Sequence, residues 1–370
     1  MVGKRLHRAR ISSKLSLRAL AERLDCLVSP QAIGRYENDL MMPSSTVLLA
    51  LATALNVTPE YLLSDDSIAL DGIDFRHGGE HGAKLDRSIE SKILDQVQRH
   101  LDIESLLNIE RIRWRAPKGR EFTVRSVEQA EIAANRLRLL WALGNDPIRS
   151  MTSLLEEHAV KLMPLDLPKD FSGTKAIVKG PKKLLVPVIV VNINQNAERQ
   201  RFTYAHELAH LVLTFPSGTK SSFREKASDR FAGAFLVSKE QLSLRTGGQR
   251  SALSLGELFE LKREFRVSVA AMAVRCRQAE LISQSLYDSL WAELKAAGLN
   301  RVDTDEPFAT FLDAPQQLER MCFFAVSEQL ISEAKAAEAL QISARELNRR
   351  MNGDFSLPGR RSVASNAMIA

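Results

Sequence analysis

The pentapeptide His206-Glu207-Leu208-Ala209-His210 lies inside FTYAHELAHLVL, an apolar run at helical spacing, and constrains this chain more than any other segment. Two histidines four residues apart on an α-helix differ in direction by only about 40° at 3.6 residues per turn, so both imidazoles can reach one metal ion. Glu207 is rotated by about 100° from His206, which keeps it out of the ligand pair and places it where a carboxylate can take a proton from a metal-bound water. The fold must therefore carry a helix through residues 201–213 and bring a third ligand to its histidine face. A catalytic zinc site needs three protein ligands and one open position.

The third ligand is expected downstream, in EKASDRFAGAFLV, where Glu225 and Asp229 are again four residues apart ahead of an apolar stripe of Phe231, Phe235 and Leu236. With Glu225 on the metal, Asp229 can accept a hydrogen bond from the far nitrogen of a ligating histidine and fix its tautomer. Zinc is the expected ion, although two histidines and a carboxylate also accept manganese or iron.

The run RFTYAHELAHLVL followed by EKASDRFAGAFLVS resembles the ImmA/IrrE family of zinc metallopeptidases, and the preceding PVIVVNIN resembles that family's strand beside the active helix. The resemblance extends from about Val127 to Phe265. It implies a zincin-like domain with His206, His210 and Glu225 as zinc ligands, Glu207 as general base, and a regulatory protein such as a repressor as substrate. Ala209 stands where the family usually has glycine, Ser228 where it has alanine, and Ser238 where it commonly has proline. Tyr204 and His158 are candidates for oxyanion stabilisation by residue type alone, and each reads more readily as an ordinary buried side chain. An extended substrate is expected to add along Val186–Asn194.

The first sixty-odd residues read as five short helices. Ser16 is placed to cap LRALAERL, and Ser29 with Pro30 opens QAIGRYE. This segment resembles the helix-turn-helix of the XRE/Cro-type repressors, with an apolar frame of Leu20, Ile33, Leu49, Ala52, Leu55 and Val57. The resemblance implies double-stranded DNA as partner, a homodimer, and contacts from Ser29, Gln31, Ala32 and Arg35. Gln31 suits adenine, Arg35 suits guanine or phosphate, and Ser29 can reach phosphate. Gly34 and Asp39 depart from the family's usual residues, and Asp39 tolerates the left-handed turn that glycine would make. Cys26 reads as a small core residue.

A chain of 370 residues with 45% hydrophobic and 26% charged residues is long enough for two or three packed domains, and neither fibrous nor disordered in composition. Its net charge of +6 permits nucleic-acid binding without requiring it. Three distant cysteines form no disulfide or zinc pattern, and the most apolar run, Leu184 to Ile193, is too short to span a membrane. We therefore expect a cytoplasmic protein without a targeting signal. The fold class is α+β. An all-α helix-turn-helix domain over 1–65 and a linker over 66–86 precede a metallopeptidase domain over 87–290, with helices on a three-stranded sheet, and a helical region over 291–370. In that region ISEAKAAEALQISARELNRRM also has a helix-turn-helix pattern, but reads as a helical appendage that packs on the peptidase or binds a partner, with Arg349 and Arg350 on a solvated face. The expected function is that of a DNA-binding transcriptional regulator with zinc-dependent endopeptidase activity toward a repressor, an antitoxin-like protein or its own linker. The alternative is a regulator whose peptidase-like domain senses without turnover.

Overall fold

The computed structural model describes residues 2–13, 15–55, 57, 59–63, 68–73, 83–107, 113–180, 184–300, 306 and 313–353. The expected cap Thr58, parts of the expected linker and the tail beyond 353 lie outside them. The chain forms two compact units, Met1–Gln98 with Arg111–Gln316, and Arg99–Glu110 with Gln317–Ala370.

The first unit opens with the five expected helices, α1 (Val2–Ser12), α2 (Leu17–Arg23), α3 (Pro30–Glu37), α4 (Ser45–Leu55) and α5 (Pro59–Leu63). Ser16 and Ser29 cap α2 and α3, their hydroxyls accepting from the backbone N–H of Ala19 at 3.0 Å and Ala32 at 3.1 Å. Leu6, Leu20, Ala21, Ile33, Leu51, Ala52, Leu55 and Leu62 bury a common core. Leu49, expected in that frame, is exposed. Helix α4 (STVLLALATAL) is apolar on nearly every side, so its periodicity does not select the inward face. Cys26 is likewise exposed rather than in the core, because it forms with Asp25 a left-handed turn between α2 and α3 (φ 59° and 50°). A Cβ at Gly3 would lie 2.5 Å from the Glu37 carbonyl oxygen, so α1 approaches α3 as closely as glycine alone permits.

Helix α6 (Ala83–Leu106) belongs to this unit as far as Gln98. Ser91 Oγ donates to the Arg8 carbonyl at 2.7 Å and Gln96 Nε2 to the Leu162 carbonyl at 3.2 Å, so α6 touches both the five-helix domain and the sheet. Beyond it come α7 (Val127–Leu140) and α8 (Met151–Glu157). The sheet contains β1 (Ala69–Ile73), β2 (Lys161–Leu165), β3 (Gly173–Lys179) and β4 (Leu185–Asn192) in the order β1-β3-β4-β2. Strand β4 runs antiparallel to β3, from Gly173↔Val191 to Lys179↔Leu185, and parallel to β2.

Two sequence expectations change here. The sheet has four strands rather than three, and the additional one, β1, falls within residues read as linker. Asp71-Gly72 interrupts its alternation, and its partner lies far along the chain, Ala69 opposite Lys179. Strand β4 is interior, so Val186–Asn194 offers no free edge to a substrate. Val188 to Val191 are fully buried, as an uninterrupted apolar run covered on both faces requires. The unit continues with α9 (Ala197–Val212), α10 (Ser221–Leu236), α11 (Lys239–Thr246), α12 (Leu255–Phe265), α13 (Val269–Gln278) and α14 (Gln284–Ala296), giving the expected α+β fold.

The second unit combines the end of α6 with α15 (Gln317–Ser327), α16 (Glu333–Leu340) and α17 (Ala344–Met351). Ile103, Met321, Cys322, Ala336 and Leu347 form its core. Ser332 and Ser343 cap α16 and α17, as their positions in the sequence suggest. Arg349 pairs with Glu346, and Arg350 with both Glu346 and Glu319, which places both guanidinium groups in a surface ion-pair network.

Candidate metal centre and DNA-binding helix

Helix α9 begins four residues earlier than its apolar period suggests because Asn196 caps it, accepting from Arg199 N–H at 2.8 Å. Two buried ion pairs fix the helix. Glu198 pairs with Lys262 of α12, whose ammonium also lies 3.3 Å from Glu306. The Arg201 guanidinium, fully buried, donates to the Ile148 carbonyl and lies 3.2 Å from Asp313 Oδ2. Asp313 in turn accepts from Ser150 Oγ at 2.8 Å, Met151 N–H at 2.7 Å and Thr152 Oγ1 at 2.6 Å, so one carboxylate starts α8 and anchors α9. Burial pushes the Arg201 pKa down to about 10. Burial also opposes the Asp313 charge, but the donors of Thr152, Met151 and Ser150 with the Arg201 charge outweigh it and hold the carboxyl below its ordinary value. On the strand side, a Cβ at Gly173 would lie 2.5 Å from Thr203 Cγ2 and 2.6 Å from the Val190 carbonyl oxygen, so α9 lies close against β3 because residue 173 is glycine.

Helix α10 packs against α9 and carries Glu225 and Asp229 on the face turned to the histidines. His206 Nε2 lies 3.1 Å from His210 Nε2 and 3.2 Å from Glu225 Oε2, and His210 Nε2 lies 3.6 Å from Glu225 Oε1. Four ligands at 2.0–2.1 Å in tetrahedral geometry sit about 3.3 Å from one another, so these spacings fit a zinc-sized ion. One ligand atom from each of the three residues falls within 4.8 Å of the others. The other nitrogen of His206, Nδ1, lies 2.8 Å from Asp229 Oδ1. Ser228, at one of the positions that depart from the resembled family, has its hydroxyl 3.4 Å from His210 Nδ1.

A cleft of 290 Å³ opens over these residues. Glu207, buried, lines it with His206, His210, Glu225 and Asp229, and Asp170, Ser172, Gly173, Lys175, Arg199 and Phe202 also line it. Sequence reasoning missed this second group. Arg199 carried a usable signal: it precedes His206 by seven residues and so shares its helix face. The residues of β3 carried none, because their place is set by the sheet. Strand β1 reaches only Ala176 in its pairing with β3, so among the described residues no strand covers the outer edge of Gly173–Lys175 beside the cleft.

Tyr204 and His158 do not line the cleft. Tyr204 lies in the core, where burial raises its pKa, and His158 stacks on Trp141 at 3.8 Å between ring centroids, its pKa lowered by burial.

On α3, Gln31 and Arg35 are exposed, Ala32 is half-buried against the helical core, and Ser29 Oγ serves as the cap. Asp39 adopts φ 55° and accepts from Gly3 N–H at 2.9 Å, so the left-handed turn forms and is tied to α1. Burial opposes the Glu37 charge at the end of α3, but hydrogen bonds from Arg10 at 2.6 and 2.7 Å and from His7 at 2.8 Å hold its pKa below the ordinary value.

Residues 155–277 match the family model of the IrrE N-terminal-like domain, a peptidase family, and residues 6–62 match that of the helix-turn-helix. The chain thus joins an XRE-type helix-turn-helix domain to an ImmA/IrrE-like, peptidase-type domain. No curated protein matches it. Among the described residues no helix is long and apolar enough to cross a membrane.

Proposed function

We propose that the chain is a cytoplasmic, DNA-binding transcriptional regulator whose peptidase domain hydrolyses a regulatory protein of the repressor or antitoxin-like kind. The supporting observation is the spacing of His206, His210 and Glu225, at 3.1 to 3.6 Å, in the same cleft as buried Glu207. In this reading His206, His210 and Glu225 hold one zinc ion. When bound, zinc polarises the scissile carbonyl and lowers the pKa of water at its open position. Asp229 accepts a hydrogen bond from Nδ1–H of His206, which fixes the tautomer whose Nε2 lone pair is directed at the ion. Glu207 accepts a proton at its carboxylate and passes it to the leaving amine.

The helix-turn-helix domain, acting as a homodimer, concentrates the enzyme at its target gene, with Gln31 and Arg35 reading bases, Ala32 against the groove floor and Ser29 at the backbone. The working division is 1–65, 66–86, 87–290 and 291–370.

Glu207→Gln tests this reading, because it removes the base while leaving His206, His210 and Glu225 in place. Protein N-termini in cells making the wild type or the variant are compared by mass spectrometry. A new N-terminus in a regulatory protein that requires Glu207 supports proteolysis. An unchanged transcriptional response with identical N-termini would instead make the domain a zinc-dependent sensor.

A further inference from the structure

The inward flank of α9 carries two charged side chains, Glu198 and Arg201, three residues and therefore about 60° apart around the helix. They lie about 80° and 140° to one side of His206, on the flank that also buries Ala205, Leu208 and Val212. Both are reached by carboxylates from the chain that follows α14. Asp313 Oδ2 lies 3.2 Å from the Arg201 guanidinium. Glu306 Oε2 lies 3.3 Å from the Lys262 ammonium that pairs with Glu198, and it accepts from Val269 N–H at 2.9 Å at the start of α13. None of these five charged side chains is more than 7% exposed. Asp313 is bonded at the same time to the start of α8 and Glu306 to that of α13, so neither can follow α9 if that helix turns.

Apolar packing alone leaves a helix free to turn slightly, because the hydrophobic effect has no direction. Hydrogen-bonded ion pairs have one, and two of them at different angles fix both the rotation and the axial position of α9. A metal site needs its ligands held within about 0.5 Å and 10–20°. His206 and His210 stand on α9 but Glu225 on α10, so a turn of α9 alone changes their spacings of 3.2 and 3.6 Å to Glu225. Resting on the zinc reading above, we propose that Glu306 and Asp313 are positioning residues of the metal centre, acting through Lys262–Glu198 and through Arg201 to set the rotation of α9. Both lie beyond the stretch that matches the peptidase family, 155–277, and beyond the expected domain of 87–290.

The test compares full-length wild type, Glu306→Gln, Asp313→Asn and the double variant, each well below its melting transition. Zinc affinity is read by chelator competition and ligand geometry by the visible spectrum of the Co2+-loaded protein. Leu294→Ala serves as the control, since it opens a cavity in α14 and lowers stability away from α9. Each single variant is expected to bind zinc at least about threefold more weakly, less than the roughly 10–100-fold of a residue bonded directly to a ligand, and the double variant more weakly still. The Co2+ bands are expected to shift in the same order, whereas Leu294→Ala keeps the wild-type affinity and spectrum. Should Asp313→Asn not fold, Glu306→Gln carries the same prediction alone. Variants that melt earlier but keep wild-type zinc affinity and Co2+ bands would overturn the proposal and leave the two carboxylates as supports of the fold only. An equal fall in Leu294→Ala would overturn it too, because any loss of stability would then suffice. If the wild type binds neither zinc nor cobalt, the metal reading itself fails and this inference with it.

Discussion

His206 is held from both sides: Asp229 Oδ1 lies 2.8 Å from Nδ1, and Glu225 Oε2 lies 3.2 Å from Nε2. The two carboxylates come from one helix, four residues apart, so α10 supplies at once a candidate ligand and the hydrogen-bond partner of a second candidate ligand. Removing Asp229 should therefore weaken the site without emptying it. Asp229→Ala is expected to lower zinc affinity about 10–100-fold in a chelator competition, and Glu225→Ala to lower it further.

Gly173 allows α9 to lie against β3. Gly173→Ala places a methyl group 2.5 Å from Thr203 Cγ2 and 2.6 Å from a backbone oxygen of β4 that cannot move aside easily. We expect a loss of about 1–3 kcal/mol in urea unfolding and a fall in zinc affinity as α9 shifts. A variant with wild-type stability would show that the strand and helix separate freely.

Asp313 joins α8 to α9 through buried Arg201. Asp313→Ala leaves that guanidinium buried without its carboxylate and should destabilise the unit by about 3–5 kcal/mol. The folded-state pKa of Asp313 lies below its ordinary value of 3.8, so its stabilisation is complete above that pH and is lost as pH falls through the lower, folded value. Metal-free wild type is therefore expected to lose stability steeply below about pH 3.8, and Asp313→Asn less steeply, when thermal unfolding is followed against pH.

Arg35 is exposed on α3 and supports no core contact that would unfold the domain if removed. Arg35→Ala should leave the melting temperature within a few degrees of wild type and reduce specific DNA affinity by about 1–3 kcal/mol in fluorescence anisotropy. The salt dependence separates base from phosphate contact: an unchanged slope points to a base, and a slope reduced by about one to a phosphate.

The candidate metal centre was legible because its four proposed members occupy two local i,i+4 patterns, which a helix brings to one face whatever surrounds it. The helices were legible too, since serine caps mark α2, α3, α16 and α17 in the sequence. What escaped depends on distant pairing. Strand β1 lies in an Asp- and Gly-rich stretch and is defined by β3 a hundred residues on. The apolar run of β4 did carry a warning against an edge position, since both of its faces are apolar. Arg199 and Lys175 acquire a shared environment only when α9 and β3 come together.

The central claim, that His206, His210 and Glu225 form a zinc centre, is tested most directly by the metal content of the purified full-length protein, measured by elemental mass spectrometry alongside His210→Ala. About one zinc per chain in the wild type and none in the variant is the expected result. A folded wild type that carries no metal, and takes up neither zinc, manganese nor iron when these are added, would contradict it.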